Sequence, residues 1–122
     1  MESASSPNGT FERVYSQEEK AALRGEVFTH RELVGVDFAG ADLRGSRFQG
    51  TSLVRCNFKD ADLRGARFVL CDFTGVVLTD AILGDNRFDG STFADMIGVE
   101  APTQTLIEKN GGTFLPPHAS SR

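Results

Sequence analysis

A Phe or Leu returns at every fifth position of this chain, and the residues between are mostly polar or small. The series is Leu23, Phe28, Leu33, Phe38, Leu43, Phe48, Leu53, Phe58, Leu63, Phe68, Phe73, Leu78, Leu83, Phe88 and Phe93. Two residues before most of these stands a small side chain: Ala21, Val36, Ala41, Ser46, Thr51, Cys56, Ala61, Ala66, Cys71, Val76, Ala81 or Ser91. Five fits neither regular element. On a helix the series would step by roughly 140° and visit every face. On a strand an odd period would alternate between the two sides.

The remaining solution turns the chain by a fixed angle per repeat and points each fifth residue inward. A second period supplies the angle. AALRGEVF (21–28), ADLRGSRF (41–48), ADLRGARF (61–68) and AILGDNRF (81–88) recur every 20 residues. Four fives make 20, so each pentapeptide turns the chain about 90° and four close a square coil. Equivalent residues then stack, with Phe28, Phe48, Phe68 and Phe88 on one inner face and Leu23, Leu43, Leu63 and Leu83 on another. A lone coil buries four large apolar side chains at about 2 kcal/mol each. It fixes 20 residues at roughly 1 kcal/mol or more apiece. Only stacked coils are stable, as in other repeat arrays.

Ala41-Asp42-Leu43-Arg44-Gly45 and Ala61-Asp62-Leu63-Arg64-Gly65 resemble the A(D/N)LXX consensus of the pentapeptide-repeat proteins. The resemblance covers residues 21–95. It implies an all-β fold, a right-handed quadrilateral β-helix of just under four coils. Val77 and Ile82 depart from the usual Asp or Asn, and Asn86 occupies an inward small position, so the repeats are expected to loosen toward the C-terminal end.

Short helical caps are expected at both ends, because an open solenoid end exposes apolar side chains and strand edges. Ser16-Gln17-Glu18-Glu19 is a capping-box sequence that predicts a helix over 17–22. Ala101-Pro102-Thr103 opens a second helix and Asn110-Gly111-Gly112 stops it. The expected organisation is a flexible segment 1–15, a capped solenoid 16–95 and a C-terminal cap and tail 96–122. Disorder is expected for residues 1–10 and 116–122. Met96, Ile97, Val99, Leu106, Ile107, Phe114 and Leu115 cluster past the last repeat, with Phe114 and Leu115 expected to fold under it. That is more apolar surface than one small cap uses, so a homodimer through this end is expected.

Length bounds the chain to one domain, and a net charge of −4 argues for solubility without naming a partner. No apolar stretch is long enough to span a membrane, and MESASSPNGT lacks the features of a secretory signal. Cys56 and Cys71 fall at inward small positions on different faces. Buried free thiols in a reducing cytoplasm are the expectation; a disulfide or metal pair is the alternative.

Catalytic chemistry is not evident. His30 sits at an outward corner and His118 in the tail, neither with a triad partner in register. The glycines recur at corners, not in a phosphate-loop order. The filled interior leaves no cavity for a small ligand. No cofactor and no metal are expected, and the chain reads as a non-enzyme whose function lies on an outer face or an end.

Two features mark the outer faces. Arg24, Arg44 and Arg64 stack at one position and Arg47, Arg67 and Arg87 at another, beside Asp42 and Asp62. This is either a solvated, self-compensated edge or a site for phosphate or an acidic protein surface. Asp72, Asp80, Asp85, Asp89 and Asp95 collect toward the C-terminal half, as a solvated surface or as an imitation of DNA charge. The leading expectation is a protein-interaction or scaffold module with an unidentified protein partner. The alternative comes from the resemblance, some of whose members mimic duplex DNA, bind DNA gyrase or topoisomerase IV and protect bacteria from quinolones. Against it, the array spans only about 18 Å at roughly 4.8 Å per coil, and the Arg stripe opposes mimicry.

Overall fold

The computed structural model describes residues 15–116. The segment expected to be flexible lies outside the described residues except for Tyr15, as do His118 and the tail beyond Pro116. Eight short elements follow in chain order: α1 (Gln17–Lys20), β1 (Val27–Thr29), β2 (Arg47–Gln49), β3 (Arg67–Val69), β4 (Asp72–Thr74), β5 (Thr92–Ala94), α2 (Ala101–Lys109) and β6 (Thr113–Phe114).

The register is the 20-residue period itself. β1, β2 and β3 pair in parallel with Phe28 opposite Phe48 and Phe48 opposite Phe68. β4 pairs with β5 through Phe73 and Phe93. Single parallel bridges carry the same offset between the strands, among them Asp37 with Asn57, Asp42 with Asp62 and Val77 with Ile97. The chain is a β-helix solenoid in which successive coils are joined by parallel ladders.

The corners explain the glycines. Every fifth residue from Gly25 to Asp95 has positive φ, filled by Gly or by His30, Arg55, Asp60, Leu70, Asp80, Asp85 and Asp95. The left-handed region is open to Gly and tolerated by Asp, whereas a bulky side chain there is strained. Along two of the corner columns, His30/Gly50/Leu70/Gly90 and Gly35/Arg55/Gly75/Asp95, side chains alternate with glycine. At Gly50 (φ +61°) an added Cβ would lie 2.6 Å from His30 Nδ1, so the His30 ring uses the space that Gly50 leaves. At Gly90 it would lie 2.7 Å from Leu70 Cδ2.

The axis is filled with stacked rings. Phe28, Phe48, Phe68 and Phe88 stack with centroids 4.6, 4.8 and 5.5 Å apart and planes within 14°. Phe38 stacks on Phe58 at 5.1 Å and Phe73 on Phe93 at 4.4 Å. The columns meet edge to face, as Phe68 does Phe73. Such offset and edge contacts contribute about 0.5–1.5 kcal/mol beyond area burial.

Every expected core Phe and Leu is buried except Leu83, which is half-buried. No repeat follows in its column: position 103, one period on, lies in α2, a helix in which Ile107 is buried. Ala81, before Leu83, is likewise half-buried, whereas Asn86, at the same inward position one repeat later, is buried. Ala21 is exposed as the C-cap of α1 and does not act as an inward filler.

Both ends are capped. The Ser16–Glu19 capping box forms, with Ser16 Oγ accepting from the Glu19 amide at 3.1 Å and Glu19 Oε1 from the Ser16 amide at 2.9 Å. α1 stops at Lys20, two residues short of the expected 22, because Ala21 and Ala22 turn into the first coil. Tyr15 stacks on Phe38 at 5.4 Å, closing that column from the N-terminal side. At the other end α2 spans Ala101–Lys109, between the expected start and stop, with Pro in its first turn. The chain then rejoins the ladder. Phe93 pairs with Phe114 in β6, and their rings stack at 5.1 Å. Phe114 thus extends the Phe73/Phe93 column. Leu115, expected to fold under with it, points outward at 45 % exposure, one residue beyond the strand.

Candidate functional site

Chemistry on this fold must use the outer faces. The first column of arginines is neutralised in place. Asp42 accepts from Arg44 Nε and Nη2, both at 2.9 Å, and from Arg24 Nε at 3.4 Å. Asp62 accepts from Arg64 Nε at 2.9 Å and Nη2 at 2.6 Å, with Arg44 Nε 3.7 Å away. The motif Asp-Leu-Arg places acid and base two residues apart on one outward side, and the 20-residue register interleaves successive pairs. Bidentate hydrogen bonding from Arg44 holds the Asp42 carboxyl well below the usual carboxylate range, and Arg64 lowers Asp62 in the same way. This column is the self-compensated edge.

The second column differs. Arg47, Arg67 and Arg87 stand in register on the β1–β2–β3 face, each exposed. Arg87 Nη2 donates to Asp89 at 2.9 Å. The positions equivalent to Asp89 are Gln49 and Val69, and among the described residues Arg47 and Arg67 have no ion pair. Beside Arg67 and Arg87 lies an open groove toward α2, also lined by Gly65, Asp85, Asn86, Leu106 and Asn110.

The aspartates do not converge. Asp72 lies in β4, Asp80 and Asp85 at two different corners, and Asp89 two residues beyond Arg87, so they are distributed around one coil. Asp72 accepts from the Thr74 hydroxyl at 2.6 Å, and Asp89 is taken by Arg87.

At the C-terminal end, Ile107 is buried, while Met96, Leu106 and Phe114 are half-buried. Ile97 is 54 % exposed and bridges Val77 on an outer side rather than closing the axis. His30, at its corner, lies over Gly50. Both cysteines are free and buried; burial pushes the Cys56 thiol up to about 12 and Cys71 to about 11. Among the described residues no group of three His, Cys, Asp or Glu could hold a metal ion. No helix among them is long and apolar enough to cross a membrane.

One set of polar contacts was not legible as such in the sequence. Thr51 Oγ1 donates to the Phe28 carbonyl at 3.0 Å, Cys71 Sγ to Phe48 at 3.3 Å and Ser91 Oγ to Phe68 at 2.8 Å. Each bond reaches back 23 residues, from an inward small position to the coil before. Asn86 Nδ2 does the same for Leu63 at 2.6 Å and also reaches the Ala66 carbonyl at 2.9 Å. The signal was the hydroxyls, thiols and amide among the inward residues, which a purely steric role would leave as Ala.

The family of pentapeptide repeats (9 copies) matches residues 33–77. No curated protein matches the chain. Among solved structures, it is similar to the pentapeptide repeat protein Rfr23 from the cyanobacterium Cyanothece 51142, at 17 % identity over 58 % of this chain and 59 % of that one, TM-score 0.38. It is also similar to HetL, involved in heterocyst differentiation regulation in Nostoc sp. strain PCC 7120, at 28 % identity over 58 % of this chain and 35 % of that one, TM-score 0.38. A third likeness is to QnrB1, a plasmid-mediated fluoroquinolone resistance protein, at 21 % identity over 71 % of this chain and 45 % of that one, TM-score 0.37. In all three, the similarity spans less than two thirds of the other chain. Residues 33–77 therefore match the pentapeptide repeats, within a chain that turns a corner every fifth residue and pairs at every twentieth.

Proposed function

We propose that this chain is a non-enzymatic protein-interaction module. Its architecture in this reading is a right-handed, four-sided β-helix of just under four coils, the hand that parallel crossovers overwhelmingly take. It works in the cytoplasm with both thiols reduced, through an outer face or its C-terminal end. The observation that carries the reading is the filled axis. Stacked Phe and Leu side chains occupy the interior from Leu23 to Phe93, so a reactive group has no enclosed place to act. The test is affinity capture from the native cytoplasm with the intact chain as bait. A protein retained in near-equal amount supports the module. Retention of nothing beyond what an unrelated bait holds would overturn it.

The second reading is binding to DNA gyrase or topoisomerase IV by imitating DNA. Four outward aspartates within one coil, Asp72, Asp80, Asp85 and Asp89, favour it. Their dispersal around the coil and the engagement of Asp89 by Arg87 weigh against it. Supercoiling by purified gyrase with and without the protein decides: inhibition that disappears when the four aspartates become Asn would promote this reading over the first.

A further inference from the structure

We propose that the β1–β2–β3 face docks the acidic side of a helix from a partner protein, with Arg47 and Arg67 as the contact. This inference rests on the interaction-module reading and names the kind of partner.

In-register like charges on neighbouring strands are unfavourable. Elsewhere on the solenoid the chain compensates each repeated arginine: Arg44 and Arg64 each hold an aspartate two residues earlier, and Arg87 one two residues later. Arg47 and Arg67 sit directly opposite each other with neutral residues, Gln49 and Val69, where that carboxylate would stand. Two adjacent, exposed and uncompensated guanidinium groups make a complementary acceptor for carboxylates from outside.

Spacing selects the partner. Neighbouring rungs are about 4.8 Å apart. Carboxylates on one side of an extended strand recur at about 6.6 Å, out of step with the rungs. On a helix, residues three or four apart lie about 5–6 Å from each other, which long arginine side chains accommodate. The face also presents aliphatic contact area beside the charges, from Val27, which is 56 % exposed, and the half-buried Val69. It presents no aromatic ring, since its Phe side chains point inward, so it offers no stacking platform for unpaired bases.

The experiment uses the full chain and a labelled alanine-rich peptide of about 18 residues with Glu at every fourth position, read by fluorescence anisotropy at low and physiological salt. Controls are the same peptide with Gln for Glu, a scrambled non-helical peptide of equal charge, and a short DNA duplex. The helical Glu peptide is expected to bind best, more weakly as salt rises. Arg47→Gln with Arg67→Gln should weaken it about tenfold, while Arg44→Gln with Arg64→Gln should leave it within about twofold. Arg47→Glu with Arg67→Glu should instead favour a Lys version of the peptide. Thermal melts establish that each variant is folded. Equal binding of the Glu and Gln peptides, equal binding by the Arg47/Arg67 variant, or a preference for the scrambled peptide or for DNA would each overturn the proposal. A captured cellular partner that binds the Arg47/Arg67 variant as well as it binds the unaltered chain would overturn it too, while leaving the interaction-module reading intact.

Discussion

The Ser91 hydroxyl donates to the carbonyl of Phe68 at 2.8 Å and accepts from the amide of Cys71 at 3.0 Å, with all three residues buried. One oxygen therefore satisfies two backbone groups of the preceding coil, in a corner where the ladder does not close them. Thr51 and Cys71 repeat the outgoing bond to Phe28 and Phe48. An unsatisfied buried donor or acceptor costs about 1–3 kcal/mol. Ser91→Ala is expected to destabilise by that order, and Ser91→Cys by less. Urea unfolding followed by circular dichroism checks it; an alanine variant with an unchanged midpoint would remove the stitch from the account of stability.

Phe68 lies at the centre of its ring column, between Phe48 and Phe88, with Phe73 at its edge. Phe68→Ala should cost about 3–5 kcal/mol, a large share of the stability of a small domain. Gln49→Ala, exposed on the same face, should be near neutral. Comparable melting temperatures for the two variants would contradict the stacked core.

Phe114 closes the Phe73/Phe93 column, and Ile107 of α2 is fully buried. Removing residues 101–122 uncovers Phe88 and Phe93. The expected result is aggregation or a new oligomer, visible by light scattering. A truncated chain that remains monomeric with the same melting temperature would show that α2 and β6 are not a cap. The mass of the intact chain at tens of micromolar tests the homodimer separately.

Stability should depend on pH at both extremes. The carboxyls of Asp42 and Asp62 are depressed by Arg44 and Arg64, so their contribution is present above the unfolded-state value near about 3.9 and lost as pH falls below it. Asp42→Asn with Asp62→Asn should flatten the acid limb, at a cost of about 1 kcal/mol or less at neutral pH.

At the alkaline end the thiols are raised, to about 12 for Cys56 and about 11 for Cys71, by burial. Unfolded thiols ionise near about 8.5, so the thiols' contribution to stability falls as pH rises above that value. A thiol reagent at pH 8 should react slowly with the folded chain and quickly with both cysteines once urea unfolds it. Fast reaction in the absence of denaturant would contradict the burial of both.

The period of five and its multiple of 20 were enough to place every inward Phe and Leu, the corner glycines and the register, because a repeat makes one local rule hold everywhere. The capping box at Ser16 and the Pro and Gly signals around α2 were equally local, and the helix boundaries came within two residues. Contacts between coils were a different matter. The carboxylates that neutralise Arg44 and Arg87 stand two residues away in the chain, but that Arg47 and Arg67 lie side by side without one is set by the 20-residue register. Leu83 is half-buried because the array ends above it, and the aspartates looked clustered in sequence although successive corners spread them around the solenoid. Repetition determined the fold from the sequence alone; the stacking of one coil on the next decided which inward carbonyls find partners and which arginines stand side by side, because those contacts are made across the period and not within it.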